Sequence, residues 1–367
     1  MFPVNNVGIV TARDRLTIRW SNQEMWNTVL QFSKTDTELA RDTYQLGRDV
    51  QGWTVSKAQE DLLDSGPLRE KVVQILYRPF DTRYTYYTGR SRGFMSRPGS
   101  SVMQQMLDGK NLALMMPKRV EHVGAWQHVF ITATISDHVA VSLKTIDYHF
   151  PLYLHPSADR FNLFSNQERT EVKPNLNPKL VEDLTEAHGQ VPSVEAIFYY
   201  VYAVLYTPAY QRKYAEFLRT GFPHIPFTSD QDLFEEFARN GTRLANLHLL
   251  KSSDLDPPVC RFEGKGDSVV APTKSKGFRY DTDEQRMHIN RDQCFAPIST
   301  AVHEYRIGGY QVCEKWLKDR KGRRLELDDI RTYCRMVTAL NKTLEIQQEL
   351  DDIYEDVEGN CVSFEIS

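Results

Sequence analysis

The hydrophobic period of this chain changes near residue 178, and that change limits the folds open to it. From residue 179 to 250 apolar residues recur at three- and four-residue spacing. Val194, Ile197, Phe198, Val201, Tyr202 and Leu205 therefore share one helix face. Thr207-Pro208 ends that helix and starts the next, since proline is favoured at a first helical position. Residues 233–250 predict a further helix, with a bend point at Asn240-Gly241. Before the change, short apolar or alternating runs bounded by turn residues predict strands at 72–76, 84–87, 112–116, 128–134, 140–143 and 148–154. A short helix is expected at 100–107 between them.

The ends of the chain extend this pattern. Strand signals at 7–11 and 16–19 precede helices, the first announced by Ser21-Asn22-Gln23-Glu24, which has the form of a capping box. Further helices are expected at 36–46 and 55–63, and Ser65-Gly66-Pro67 breaks the chain after them. A polar stretch at 155–178 is expected to be a long loop. Residues 254–306 read as a Gly-, Pro- and Lys-rich β segment, followed by Gly308-Gly309, a helix at 310–318, a basic turn and a long helix at 327–353. The expected fold class is mixed α and β (α+β): a β-rich N-terminal lobe, a central helical section and a C-terminal α/β portion with a long final helix. The expected divisions are 1–66, a linker and helical segment; 67–155, a β-rich lobe; 156–250, the helical section; and 251–367, the α/β portion with an acidic tail.

Charge narrows the function. The net charge of −4 argues against a polyanion partner until its distribution is considered. Residues 344–367 hold eight acids and no Lys or Arg, which leaves residues 1–343 at +4. Residues 69–119 carry ten basic side chains against three acidic ones, and residues 311–324 carry six against two. A basic face beside an acidic tail suits phosphate binding. The five cysteines are scattered without C-x-x-C spacing, which fits reduced thiols in a cytoplasm rather than a zinc site or disulfide framework. No apolar run reaches the ~20 residues that span a bilayer. The first residues show no basic-then-apolar signal pattern.

Candidate phosphate contacts follow from residue chemistry. Arginine pairs bidentately with phosphate or with the O6/N7 edge of guanine. Arg78, Arg83, Arg90, Arg92 and Arg97 are the leading candidates, with Gln104 and Gln105 as adenine readers. In residues 77–83 an architectural role competes with recognition, because Arg78 and Asp81 could form a buried pair. The turn-like, polar stretch 89–97 favours recognition. Lys118 and Arg119 follow a strand, and Lys274, Lys276 and Arg279 lie on a basic loop; both suit either phosphate contact or solvation. Lys318, Arg320, Lys321, Arg323 and Arg324 follow a helix, and helix capping needs fewer cations than this.

Other motifs point elsewhere and fail. Asp256-Pro257-Pro258-Val259 lacks the aromatic that would stack on a base. Glu171-Val172-Lys173 lacks an acidic partner upstream. His122 and His128 lack a third ligand, and the Tyr199, Tyr200, Tyr202, Tyr206 and Tyr210 series fits a helix core. No G-x-x-x-x-G-K-[ST] loop and no glycine-rich donor-binding motif is present. No catalytic or metal-binding residue is therefore assigned.

Three stretches together resemble the C-terminal specificity region of type ISP restriction-modification enzymes. They are Val7-Gly8-Ile9-Val10-Thr11-Ala12-Arg13-Asp14; Tyr77-Arg78-Pro79-Phe80-Asp81-Thr82-Arg83-Tyr84-Thr85-Tyr86-Tyr87, continued by Arg97-Pro98; and Gly308-Gly309-Tyr310-Gln311-Val312 through Arg323. Phe150-Pro151-Leu152-Tyr153-Leu154 and Tyr206-Thr207-Pro208-Ala209-Tyr210 fit the same pattern, so the resemblance runs to about residue 350. It implies a target recognition domain on double-stranded DNA, the two lobes forming a cleft around the duplex. Residues 1–66 would join it to an adenine methyltransferase domain, with a nuclease and helicase-like motor further upstream. S-adenosylmethionine, ATP and Mg would belong to those domains, and this chain alone would not be an enzyme. The rival expectations are a coupling domain that docks the methyltransferase and motor, for which the acidic helix 344–358 is suited, and an enzyme with a hidden active site.

Overall fold

The computed structural model describes residues 1–121, 125–156 and 171–363. His122, most of the expected 155–178 loop and the last acid of the tail lie outside these residues. The chain forms two compact units, each built from separated segments. The first comprises Met1–Met116, Thr132–Ala140 and Ile146–Asn177; the second comprises Pro117–Ile131, Val141–Thr145 and Pro178–Ser367. The fold is mixed α and β, ending in the helix Leu327–Gly359.

In the first unit the hairpin Val72–Arg78 and Asp81–Tyr86 turns through Pro79 and Phe80, with Phe80 at φ +60°. Its apolar residues pack against helices Asn22–Phe32 and Val55–Asp64, and Trp53, Phe32, Phe94, Ile75 and Tyr86 form the centre of the core. The helix starts follow the expected chemistry. Ser21 accepts the Glu24 amide at 3.1 Å, while Glu24 reaches back to the Trp20 amide, one residue earlier than a strict capping box. Asp36 caps Thr37–Thr43 and Thr54 caps Val55–Asp64.

Two strand expectations fail. Residues 14–17 form a helical turn, Asp14–Thr17, because Asp14 is tied to Thr11 and Tyr77. Residues 140–143 carry no strand; the pairing passes instead to Ile135–Ser136, which runs parallel to Val72–Arg78. Apolarity alone had favoured the wrong segment, since Ala140 and Val141 are buried in turns.

In the second unit helix Val194–Tyr206 packs along Gln231–His248 so closely that a Cβ on Gly241 would stand 1.9 Å from the Tyr199 carbonyl oxygen. The glycine at the expected bend therefore serves helix approach, and the helix continues through it. Tyr200, Tyr202, Tyr206 and Tyr210 are buried, as their helical spacing implied. Four short strands follow, in the order Arg261–Glu263, Cys294–Ala296, Arg286–His288, Arg279–Asp281. Phe295 of this sheet lies 4.2 Å from the Tyr333 ring of the long helix. Among the described residues no helix is long and apolar enough to cross a membrane.

Candidate nucleic-acid interface

Within the first unit, the arginines of the 77–83 motif turn inward. Arg78 is 4% exposed and pairs with Asp137 at 2.8 Å, with its guanidinium 3.9 Å from the Tyr77 ring centre. Arg83 pairs with Asp81 at 2.7 Å and lies between the Trp20 and Tyr77 rings at 3.8 and 4.0 Å. Burial pushes the Asp137 carboxyl up, but hydrogen bonds from His138 and Arg78 outweigh it and hold the group below the usual carboxylate range. Burial works against the His138 imidazolium in turn, and Asp137 more than compensates, so its pKa rises. The neighbouring glycine of the first motif is part of this packing. A Cβ on Gly8 would meet the His138 backbone and the His149 ring at 2.8 Å. The motif thus ties residues 7–14, 77–83 and 135–149 into one buried network.

Residues 89–97 are built differently. The Asp61 carboxylate, 1% exposed on helix Val55–Asp64, accepts the Phe94 amide at 2.7 Å and the Thr88 hydroxyl at 2.8 Å. Gly93 lies so near this carboxylate that a Cβ there would be 2.2 Å from it. The Trp53 indole donates to the Phe94 carbonyl at 3.2 Å, and Ser96 and Arg97 amides both donate to the Val10 carbonyl. Phe94 and Met95 are buried, while Arg92 and Arg97 are exposed, Arg92 at φ +59°. The result is a fixed loop presenting two arginines. Arg90 is also exposed, but Asp64 at 2.7 Å and Glu60 at 3.4 Å offset its charge.

Beside this loop stand two cations that sequence reading passed over. Arg13 lies over the Trp53 ring at 5.1 Å and donates to the Arg48 carbonyl at 2.8 Å; Arg48 itself is exposed. No sequence signal joins Arg13 to this loop, because Trp53 contacts both Arg13 and the Phe94 carbonyl only in the fold. Of the glutamines, Gln104 is exposed, whereas Gln105 is buried and its carbonyl accepts the His155 amide at 2.6 Å.

The second unit gathers another basic group. The turn after helix Val312–Lys318 pairs with residues 268–270: Gly322 donates to the Val270 carbonyl at 2.7 Å and Val270 to the Arg323 carbonyl at 3.0 Å. This brings Lys321 to 5.1 Å from the Phe278 ring, between exposed Lys274, Lys276 and Arg279. Gly277, at φ +104°, packs on the backbone of Asn290 and Arg291, adding exposed Arg291 to the same group. Arg320 does not join it. It is 4% exposed, stacks on Trp316 at 3.3 Å and pairs with Asp329 at 3.3 Å. Lys318 is exposed and paired with Glu314, Arg323 is half-buried, and Arg324 is exposed. Lys118 and Arg119 are exposed elsewhere on this unit, Lys118 lying 5.8 Å from the Phe222 ring.

The acidic helix is partly neutralised by its own unit. Glu349 pairs with Arg243, Asp351 with Arg212 at 2.9 Å, and Glu358 with Lys213 at 2.5 Å. Glu345 pairs with Lys342, and Asp352, Glu355 and Asp356 form no ion pair among the described residues, so part of the charge that suits a docking helix is already used within the unit.

A family model described as the Type ISP C-terminal specificity domain matches residues 1–349. The chain belongs to that family. No curated protein matches it significantly. Among solved structures, it is similar to DrdV in a DNA complex solved by cryo-electron microscopy, at 19% identity and a TM-score of 0.69, covering 95% of this chain and 36% of that one. It is similar also to the type ISP restriction-modification enzyme LlaGI, a nuclease-deletion mutant with a DNA substrate mimic, at 18% identity and TM-score 0.64, covering 95% of this chain and 33% of that one. The ATP-dependent type ISP enzyme LlaBIII bound to DNA matches at 18% identity and TM-score 0.65, covering 95% and 23%. These likenesses establish the fold. The specificity-domain chain spans between 23% and 36% of the proteins it matches.

Proposed function

We propose that this specificity domain reads double-stranded DNA for a type ISP restriction-modification enzyme in the cytoplasm. The observation that carries the reading is the loop 89–97, where a buried carboxylate, an indole and a bridge to Val10 hold Arg92 and Arg97 toward solvent. Side chains on a preorganised loop lose little freedom on binding, so their contacts go into affinity and register. Phosphate contacts position the duplex, and the few side chains that reach base edges specify it. Gln104 on the first unit and, on the second, the group Lys274, Lys276, Arg279 and Lys321 together with exposed Arg324 are the further contacts in this reading. The specificity domain supplies no chemistry of its own. Methyl transfer with S-adenosylmethionine and ATP- and Mg-dependent translocation and cleavage belong to other domains of the same enzyme.

The test is retention of randomised duplexes by the chain at two salt concentrations, followed by sequencing. Enrichment of a non-palindromic motif supports the reading. Salt-sensitive retention without enrichment reduces it to a basic surface, and no retention favours the docking role.

A further inference from the structure

We propose that an open cavity of about 620 Å³ in the first unit, lined by Arg15, Arg19 and Arg83 with Trp20 and Tyr44, binds a nucleotide unit: one flat base with its phosphate. The volume falls in the range of small-molecule sites. Its lining combines two chemistries that no simpler ligand uses together. Guanidinium groups favour an anion, while the Trp20 and Tyr44 rings favour a flat, polarisable surface. A bare phosphate would leave the rings idle, and an apolar ligand would desolvate the exposed Arg15 guanidinium with no charge to offset it.

The charges are arranged for an incoming anion. Asp14 is the one carboxylate in the lining, and its two oxygens accept the Thr11 and Tyr77 hydroxyls, turning it into the fold. Arg15 is exposed and one of its nitrogens is fixed by the Gln45 side chain. Arg19 has Nε on Thr28 at 2.9 Å and Nη1 on the carbonyls of Arg15 and Ile18, so Nη2 is the donor it can offer. The Tyr44 hydroxyl is shut from solvent and has no hydrogen-bond partner among the described residues. That oxygen is out of a ligand's reach, so the Tyr44 ring and not its hydroxyl lines the cavity. Arg83 stacks between Trp20 and Tyr77 and pairs with Asp81, so it fixes the Trp20 ring at the cavity wall and leaves ligand binding to Arg15 and Arg19.

The nucleotide has two sources: a free nucleotide, or a nucleotide unstacked from bound DNA. The second source rests on the DNA-reading assignment; the first does not. The full chain is titrated with deoxyadenosine monophosphate, deoxyadenosine and orthophosphate, and separately with a short paired duplex and the same duplex carrying one unpaired nucleotide. The monophosphate should bind about tenfold tighter than either half alone, the value of one charge-assisted hydrogen bond. Arg15→Ala and Tyr44→Leu, which remove the exposed guanidinium and the flat ring, should abolish that preference, and a melting temperature like the parent's shows that the fold is kept. A preference for the unpaired nucleotide that both variants abolish assigns the DNA source. Monophosphate binding with no such preference assigns the free source. The proposal is overturned if orthophosphate binds as well as the monophosphate, if no probe binds, or if both variants bind like the parent. Monophosphate binding without any duplex binding would remove the DNA-reading assignment and leave this site standing.

Discussion

Two arginine-rich segments of the first unit, 77–83 and 89–97, lie six residues apart in sequence and have opposite fates. In the first, Arg78 and Arg83 are buried against Asp137 and Asp81. In the second, Arg92 and Arg97 are exposed while a carboxylate, Asp61, binds the backbone beneath them. Carboxylate placement decides the outcome. An acid that meets a guanidinium turns it into architecture; an acid that meets amides fixes the loop and leaves the guanidinium for a ligand. Counting positive charges cannot separate the two cases.

The comparison is tested most severely at Arg78. Arg78→Ala leaves the buried Asp137 with His138 as its remaining partner, and removing one member of a buried ion pair costs about 3–5 kcal/mol. Chemical denaturation of the variant should show that loss. A change below about 1 kcal/mol, typical of a surface pair, would mean that the segment is not architectural.

Next in size is the loop. Arg92→Ala and Arg97→Ala together should leave stability within about 0.5 kcal/mol, as surface substitutions do. DNA affinity should fall, and the salt slope should drop by about 0.9 for each phosphate that the two side chains neutralise. Asp61→Asn sharpens the point, because it weakens the anchor without touching a cation. In the double variant with Arg92→Ala, the DNA effect should be smaller than the sum of the two single effects. Additive effects would show that Asp61 supports the fold without positioning Arg92.

How much of this was legible in the sequence depends on range. Helices at 22–32, 55–64 and 194–206 were readable because caps and three-four spacing are local signals. Burial of Arg78 was open to the sequence, but its partner was not, since Asp137 is 59 residues away. The Arg78–Asp81 pairing considered from the sequence is a cross-strand neighbour at the hairpin turn, and Asp81 holds Arg83 instead. The basic group of the second unit was half legible. Residues 274–279 and 318–324 each stood out by composition, but only the pairing of 268–270 with 322–325 shows that they adjoin.

The two units also differ in how they answer acid, with a smaller effect. Burial pushes His149 of the first unit down to about 4 and His248 of the second down to about 3. Both are neutral in the fold, whereas the unfolded chain protonates them near the ordinary value of about 6.5. The unfolded state therefore binds more protons below about pH 6.5, so stability falls as pH drops from there toward the folded values. His138, with its raised pKa, acts oppositely: its contribution is present below about 6.5 and fades as pH rises through the folded value. The melting temperature should thus peak near neutrality. His248→Asn should flatten the acid limb; an unaltered limb would mean that His248 is already charged in the fold.

The smallest expected effect is on the second unit's basic group. Lys321 is held beside Phe278 by backbone pairing, and among the described residues no buried carboxylate anchors its turn as Asp61 anchors the loop 89–97. A lysine there acts as a point charge on phosphate, without the bidentate geometry that reads a base. Lys321→Ala should weaken all duplexes equally, lowering the salt slope by about 0.9 and leaving any enriched motif unchanged. Loss of discrimination at one position of the motif would place base reading in the second unit as well. The difference between the two groups would then lie in reach and not in kind.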